Sequence, residues 1–282
     1  MKQAFGIVAM LALLSATPAQ ADEAGAATVN TAANEDKMTF EAIIRRGKML
    51  YDFDQAAWHS TDAFVDKARN LDKLTISGRV VVPVEGGLQA IYYGRNDTGR
   101  FAIFTGIWNG TKIVDPVYSN GESGPALSEE ANAYADVIDL LMSGKLETKD
   151  LWYCNKANPN FVVLPGSETG EYFLYFMTAQ QKNGVYPLGG HHRLQIRDGK
   201  VVSQRKFTNS CIDMGDGKSA DEKQVMFYLT HMLDDKPTEI HVFTAIASRT
   251  VVMVGTIENK QSWLVTPKGD SASIVNEKDV KD

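Results

Sequence analysis

The sequence predicts an α+β fold, a mainly antiparallel sheet of hairpins and meanders with N-terminal helices and one or two further helices packed on it. Three observations carry that prediction. Apolar residues after position 39 recur at helical spacing. From Leu74 the period changes to two, and turn-forming residues punctuate the strands. One clear helical pattern, over 127–142, interrupts the strands.

Taken in order, Thr39 can cap a helix in which Phe40, Ile43, Ile44, Gly47 and Leu50 share a face as far as about Trp58. Ser60 or Thr61 then caps a shorter helix carrying Phe64, Val65 and Ala68. LTISGRVVVPV, LQAIYYG, RFAIFTGIW and KIVDPVY read as strands, and Asn109-Gly110 signals a two-residue hairpin. Asn96-Asp97-Thr98 and Asn109-Gly110-Thr111 also match glycosylation acceptors, but the leader looks bacterial and turns are the better reading. Ser128 caps the helix over 127–142, Glu129 and Glu130 suit its first turn, and Gly144 ends it. NFVVLP, EYFLYFMT and a hairpin over 190–207 return to strand. Residues 219–234 fit either a helix, with Ser219 and Glu222 as a capping box, or a buried strand. TEIHVFTAI, TVVMVGT and SWLVT read as a closing meander.

A core of ordinary size is available, since 44% of residues are hydrophobic and 23% charged. The net charge is -6 with no block of like charge, so nucleic-acid binding is not expected. Residues 1–21 read as a signal peptide: Lys2, the apolar run Phe5–Leu14, Pro18, and Ala19-Gln20-Ala21 as the cleavage site. That run is too short to span a bilayer, which takes ~20 apolar residues, and no later run suggests a transmembrane segment. Residues 22–37 lack large apolar side chains and read as a disordered tail. Residues 38–275 then form a single domain, and 276–282 a flexible C-terminal tail. The chain is expected to be periplasmic or secreted.

Cys154 and Cys211 are the only cysteines. In an exported chain they read as a disulfide, worth ~4 kcal/mol for a loop of this size. Two separate buried thiols, or half of a metal site, are the alternatives. A zinc site wants four ligands, and a close Cys pair is missing.

The stretch NGVYPLGGHHRLQIRDGK places His191 and His192 after a glycine pair. Asp198-Gly199 is a type I′ turn signal, which pairs Arg197 with Lys200, Ile196 with Val201, Leu194 with Ser203 and His192 with Arg205. Neighbouring strand side chains face opposite sides, so both histidines cannot share one ion in a regular hairpin. His192 falls with Leu194 and Ile196 and reads as a hydrogen-bonded core histidine. The other face carries His191 and the cations Arg193, Arg197, Lys200 and Lys206. It is either a solvated surface, a face balanced by acidic side chains, or a site for an anionic small molecule or envelope component.

His241 and Glu239 share one side if their segment is a strand, and His191, His241 and Glu239 become candidates for a catalytic or metal site. No GxSxG, HExxH, GxGxxG or CxxCH occurs, and neither metal nor cofactor is assigned. Ile212–Ser219 only imitates a phosphate-binding loop, and the SxxK at Ser203–Lys206 lies on a strand. Tyr92, Tyr93, Trp108 and Tyr118 could line a sugar or apolar ligand cleft, although core packing is the simpler reading.

GVYPLGGHHRLQI, FTNSC and PTEIHVF resemble a family of uncharacterised exported bacterial proteins, a similarity running from about Phe40 to Trp263. That family has no assigned activity, so no functional residue is carried over. The resemblance implies tyrosine in relatives at the second histidine of GGHH, which makes His191 the better candidate for chemistry. The leading expectation is a non-enzymatic binding protein of the periplasm. The rival is a hydrolase or metal-dependent enzyme.

Overall fold

Helix α1 (Phe40–Lys67) is the element around which the sheets gather. The computed structural model describes residues 38–68, 74–119, 123–146, 148–215 and 226–280. The expected signal peptide and disordered tail lie outside the described residues. Thr39 Oγ1 accepts from the Ala42 amide and caps α1, as its sequence predicts. The helix does not break near Trp58. Ser60 and Thr61 both donate to the Ala57 carbonyl, at 2.9 and 2.8 Å, so these hydroxyls are satisfied inside the helix and open no new one. Thr61 also meets the Tyr92 hydroxyl at 2.7 Å, which fixes the helix on the first sheet.

Four strands form that sheet in sequential order: β1 (Gly78–Val84), β2 (Gly87–Asn96), β3 (Gly99–Trp108) and β4 (Ile113–Tyr118). Asn109-Gly110 does not make a two-residue turn, because Trp108 pairs with Ile113 and four residues connect the strands. Asn109 Oδ1 accepts from the amides of Thr111 and Lys112, and Asn96 Oδ1 from that of Thr98. Both acceptor-like triplets are thus Asx-type turns. Helix α2 (Glu129–Met142) is capped by Ser128 and packs on β1. Asp139 of α2 binds Arg95, Arg100 and the Tyr93 hydroxyl, tying the helix to β2 and β3.

The second sheet has the order β5 (Asn160–Pro165), β6 (Glu171–Met177), β8 (His192–Arg197), β9 (Lys200–Lys206). A small two-stranded pair, β7 (Tyr186–Pro187) with β10 (Asp213–Met214), flanks it. Asp198 and Gly199 take positive φ, as a type I′ turn requires, and Arg197 pairs with Lys200 and Ile196 with Val201. Beyond that the register slips by one residue. Gln195 pairs with Ser203, Arg193 with Arg205, and His192 with Lys206, so Val202 is the extra residue of a bulge. Both faces of this sheet are covered: Leu174 and Leu194 are buried on one, Tyr175 and Arg193 on the other.

The third sheet departs most from expectation. Its order is β11 (Met226–His231), β12 (Val251–Thr256), β13 (Gln261–Lys268), β14 (Ser271–Asn276). TEIHVFTAI is not a strand; helix α3 (Glu239–Ser248) occupies that segment. β11 and β12 are therefore parallel, with α3 as the crossover between them, a connection that a parallel pair requires. Within the ambiguous 219–234 stretch, strand prevails over 226–231, and 216–225 lies outside the described residues. Residues Glu277–Asp279, where a loose tail is expected, form a 3-10 turn capped by Asn276.

Helix α1 packs on α3, β14, β5 and all four strands of the first sheet. The α1–α3 crossing is close at Gly47, where a Cβ would lie 2.5 Å from Val242 Cβ and 2.8 Å from the Glu239 carbonyl oxygen. Among the described residues, no helix is long and apolar enough to cross a membrane.

Candidate functional site

The Gly-Gly-His-His stretch lies against a disulfide between Cys154 and Cys211. A Cβ at Gly189 would fall 2.3 Å from the Ser210 carbonyl oxygen and 2.8 Å from Cys154 Sγ, so only glycine admits the bridge at this distance. The two histidines point to different partners. His191 Nδ1 accepts from the Thr178 amide at 3.0 Å, and its Nε2 donates to the Pro187 carbonyl at 2.9 Å. His192 Nε2 donates to the Trp152 carbonyl at 2.8 Å, two residues before Cys154. Each ring pins a flanking segment to the disulfide region. Burial pushes the His191 imidazole down to about 4, against a weaker upward pull from Pro187. Burial likewise lowers His192. His191 is thus neutral near pH 7, with both nitrogens engaged.

A second polar cluster fills the space between α1, α3 and the second sheet. Glu239 opens α3 and accepts from Arg193 Nη1 at 2.6 Å and from the Tyr175 hydroxyl at 2.9 Å. Arg46 of α1 stands 3.8 Å away. The guanidinium of Arg193 lies over the Phe173 ring, with Arg46 also over Phe173 and Arg205 over Phe207. Burial raises the Glu239 carboxyl, but Arg193, backed by Arg205 and Arg46, outweighs that and holds it at about 2. Beyond it, Asp234 accepts from His231 and Arg205, each at 2.6 Å. The His231 and His241 rings meet edge to face at 4.8 Å. His241 Nδ1 accepts from the Thr238 amide at 2.9 Å, so histidine takes the place of Glu or Gln in a capping box. Burial first, then His231 and Arg205, keep His241 well below its ordinary value.

These contacts decide what the sequence candidates can do. His191 is close enough to oppose a charge on His241, yet His191, His241 and Glu239 do not converge on an accessible space. A carboxylate ionised down to about pH 2 beneath a buried arginine is a poor proton carrier near neutrality. Among the described residues no group of three His, Cys, Asp or Glu side chains is placed to hold a metal ion. Nor do the four basic candidates form one patch. Arg193 is buried on Glu239, and Arg197 binds Glu171 at 2.9 Å. Lys200 and Lys206 are exposed and on different faces, because the bulge moves Lys206 opposite His192. Ser203 of the SxxK match is buried and donates to Gln195.

A large open space lies elsewhere. A cleft of about 1030 Å³ runs between α1, the end of α3, the β1–β2 and β3–β4 turns, and the β13–β14 turn. Met49, Phe53, Leu88, Trp108 and Ile246 supply apolar walls. Arg45, Lys48, Asp52, Arg249 and Asp270 supply charge. Lys48 bonds Asp52 at 2.7 Å and Asp270 at 3.0 Å, bridging helix to hairpin. Trp108 is braced from behind by His59, stacked at 4.5 Å and 6°. Of the aromatics singled out by sequence, Trp108 alone lines the cleft; Tyr92 and Tyr93 are buried and Tyr118 packs near Phe64. Arg45 and Arg249 carry no sequence signal. They stand among many surface cations, and only the α1–α3 pairing brings them to one space. No protein-family model matches the chain, and no curated protein does.

Proposed function

We propose that the chain is an exported binding protein that holds a small, partly apolar ligand in the cleft beside α1. One observation carries this reading: a cleft at the upper end of the ~300–1,000 Å³ range of ligand sites, apolar in its walls and charged at its rim. The histidines and Glu239 support it from the other side, since they are engaged in the interior and none lines the cleft. Export is supported by the leader-like pattern of residues 1–21 and by the disulfide, which forms in oxidising compartments.

Titration with the neutral apolar dye N-phenyl-1-naphthylamine tests the reading. A saturable fluorescence rise is expected, weakened about ten-fold or more in Leu88→Trp, which fills the cleft. Absence of saturable binding, or binding indifferent to Leu88→Trp, contradicts it. Export is checked by mass spectrometry of protein made with its own leader, where the mature chain should begin at Asp22.

A further inference from the structure

We infer that the cleft takes an anionic amphiphile, with a carboxylate or phosphate monoester head on Arg45 and Arg249 and an apolar chain along Met49, Phe53, Leu88 and Trp108. This rests on reading the cleft as a binding site and adds the class of ligand.

The charges of the lining decide the head group. Lys48 is shared between Asp52 and Asp270, so that cation is already neutralised within the protein. Arg45 and Arg249 are exposed side chains with no ion pair among the described residues. The lining therefore carries one net positive charge on a chain whose overall charge is -6. Guanidinium groups present paired N–H donors that match carboxylate and phosphate oxygens. The apolar walls of the same cleft offer hydrocarbon and ring surface, so an apolar body on the same ligand is accommodated.

The backbone at Arg249 points the same way. Arg249 sits just past the end of α3 at φ 53°, a left-handed position that helices usually give to glycine. A residue with a Cβ there is strained by about 1–2 kcal/mol. A cation does complement the helix C terminus, but at an exposed site this returns only about 0.3–1 kcal/mol. A long cation held at a strained corner on the cleft rim is what a ligand contact would require. Arg249 also lies within electrostatic reach of the Tyr51 hydroxyl on the cleft wall.

Displacement of N-phenyl-1-naphthylamine by dodecanoate, dodecyl phosphate, dodecanol and dodecyltrimethylammonium, all below micelle-forming concentrations, tests the inference. At least one anion is expected to bind about ten-fold tighter than dodecanol, the size of one charge-assisted hydrogen-bond contact. Arg45→Gln and Arg249→Gly should each weaken the anions roughly five- to ten-fold, well beyond any change in affinity for dodecanol. Arg249→Gly should also match or exceed the parent in thermal stability, which separates lost binding from lost folding. Equal affinity for dodecanol, preference for the ammonium, or indifference of both variants overturns the inference while leaving the binding reading in place. If the dye itself fails to bind, both fall together. The protein should remain in the supernatant when phosphatidylglycerol vesicles are pelleted. Capture by vesicles without response to free dodecanoate would assign the charge to a membrane surface and overturn the inference.

Discussion

Glu239 and Arg193 meet at 2.6 Å with side chains 1% and 2% exposed, one opening a helix and the other in mid-strand. Their contact locks α3 to the second sheet, and Arg46 brings α1 to the same point. Three arginines surround one carboxylate, so its two sides are not equivalent. Glu239→Gln leaves guanidinium groups facing one another, whereas Arg193→Met leaves Glu239 with Arg46 and Arg205 as counter-charges. Loss of either partner of a buried pair costs about 3–5 kcal/mol. Urea denaturation should place Glu239→Gln at or above the top of that range and Arg193→Met below it. The reverse order would show that Arg193 alone neutralises the carboxylate.

The disulfide and the glycine beside it should behave as one unit. Cys154→Ser with Cys211→Ser should lower stability by ~4 kcal/mol, from loop closure across a separation of 57 residues. Gly189→Ala should destabilise even with the bridge formed, because its Cβ meets a backbone oxygen that cannot move aside. Mass shifts on reduction and alkylation, together with denaturation curves, check both. Unchanged stability in Gly189→Ala would remove the packing argument.

Stability should fall as the pH drops below 6.5. His191 is neutral and buried, with its proton affinity lowered from 6.5 to about 4. Between those values the unfolded chain binds more protons than the folded one, so acid favours unfolding. At ~1.4 kcal/mol per pH unit, this group alone accounts for roughly 3 kcal/mol lost by pH 4. His241 acts in the same direction. From 4.5 down to about 2, Glu171 and Glu239 extend the loss, since they must be protonated away from their partners. In His191→Gln the slope of unfolding free energy between pH 6.5 and 4 should flatten by about one proton. An unaltered slope would mean that His191 does not titrate on unfolding.

Gly47→Ala sets two effects against each other. Alanine favours a helix interior by about 1 kcal/mol over glycine. Its methyl would press on Val242 and on the Glu239 carbonyl, and overpacking costs about 1–3 kcal/mol. The backbone contact cannot relax, so net destabilisation is expected, with part recovered by adding Val242→Ala. A stabilised Gly47→Ala would show that α1 and α3 are free to separate there.

Much of the strand framework was legible because two-residue alternation and turn residues are local signals. Thr39 and Ser128 announce their helices for the same reason. What escaped was tertiary. The hydroxyls of Ser60 and Thr61 look like caps until Ala57 and Tyr92 satisfy them. Glu239–Ser248 is apolar enough to suit strand or helix, and the parallel partner β11 makes the difference. Arg193 belongs to a polar-looking face that is buried because a second layer covers it. The bulge at Val202 leaves no mark in a sequence of alternating residues. Trp108 was a visible hint of the cleft, but its charged rim comes from elements far apart in the chain.

The buried polar cluster around Glu239 and the proposed ligand cleft are lined by different side chains. Dye affinity and unfolding free energy, measured side by side on His191→Gln and Leu88→Trp, test that separation most directly. His191→Gln should lose stability and keep its affinity, while Leu88→Trp should keep its stability and lose affinity. A His191→Gln protein that is fully folded yet no longer binds, with Leu88→Trp binding normally, would contradict it.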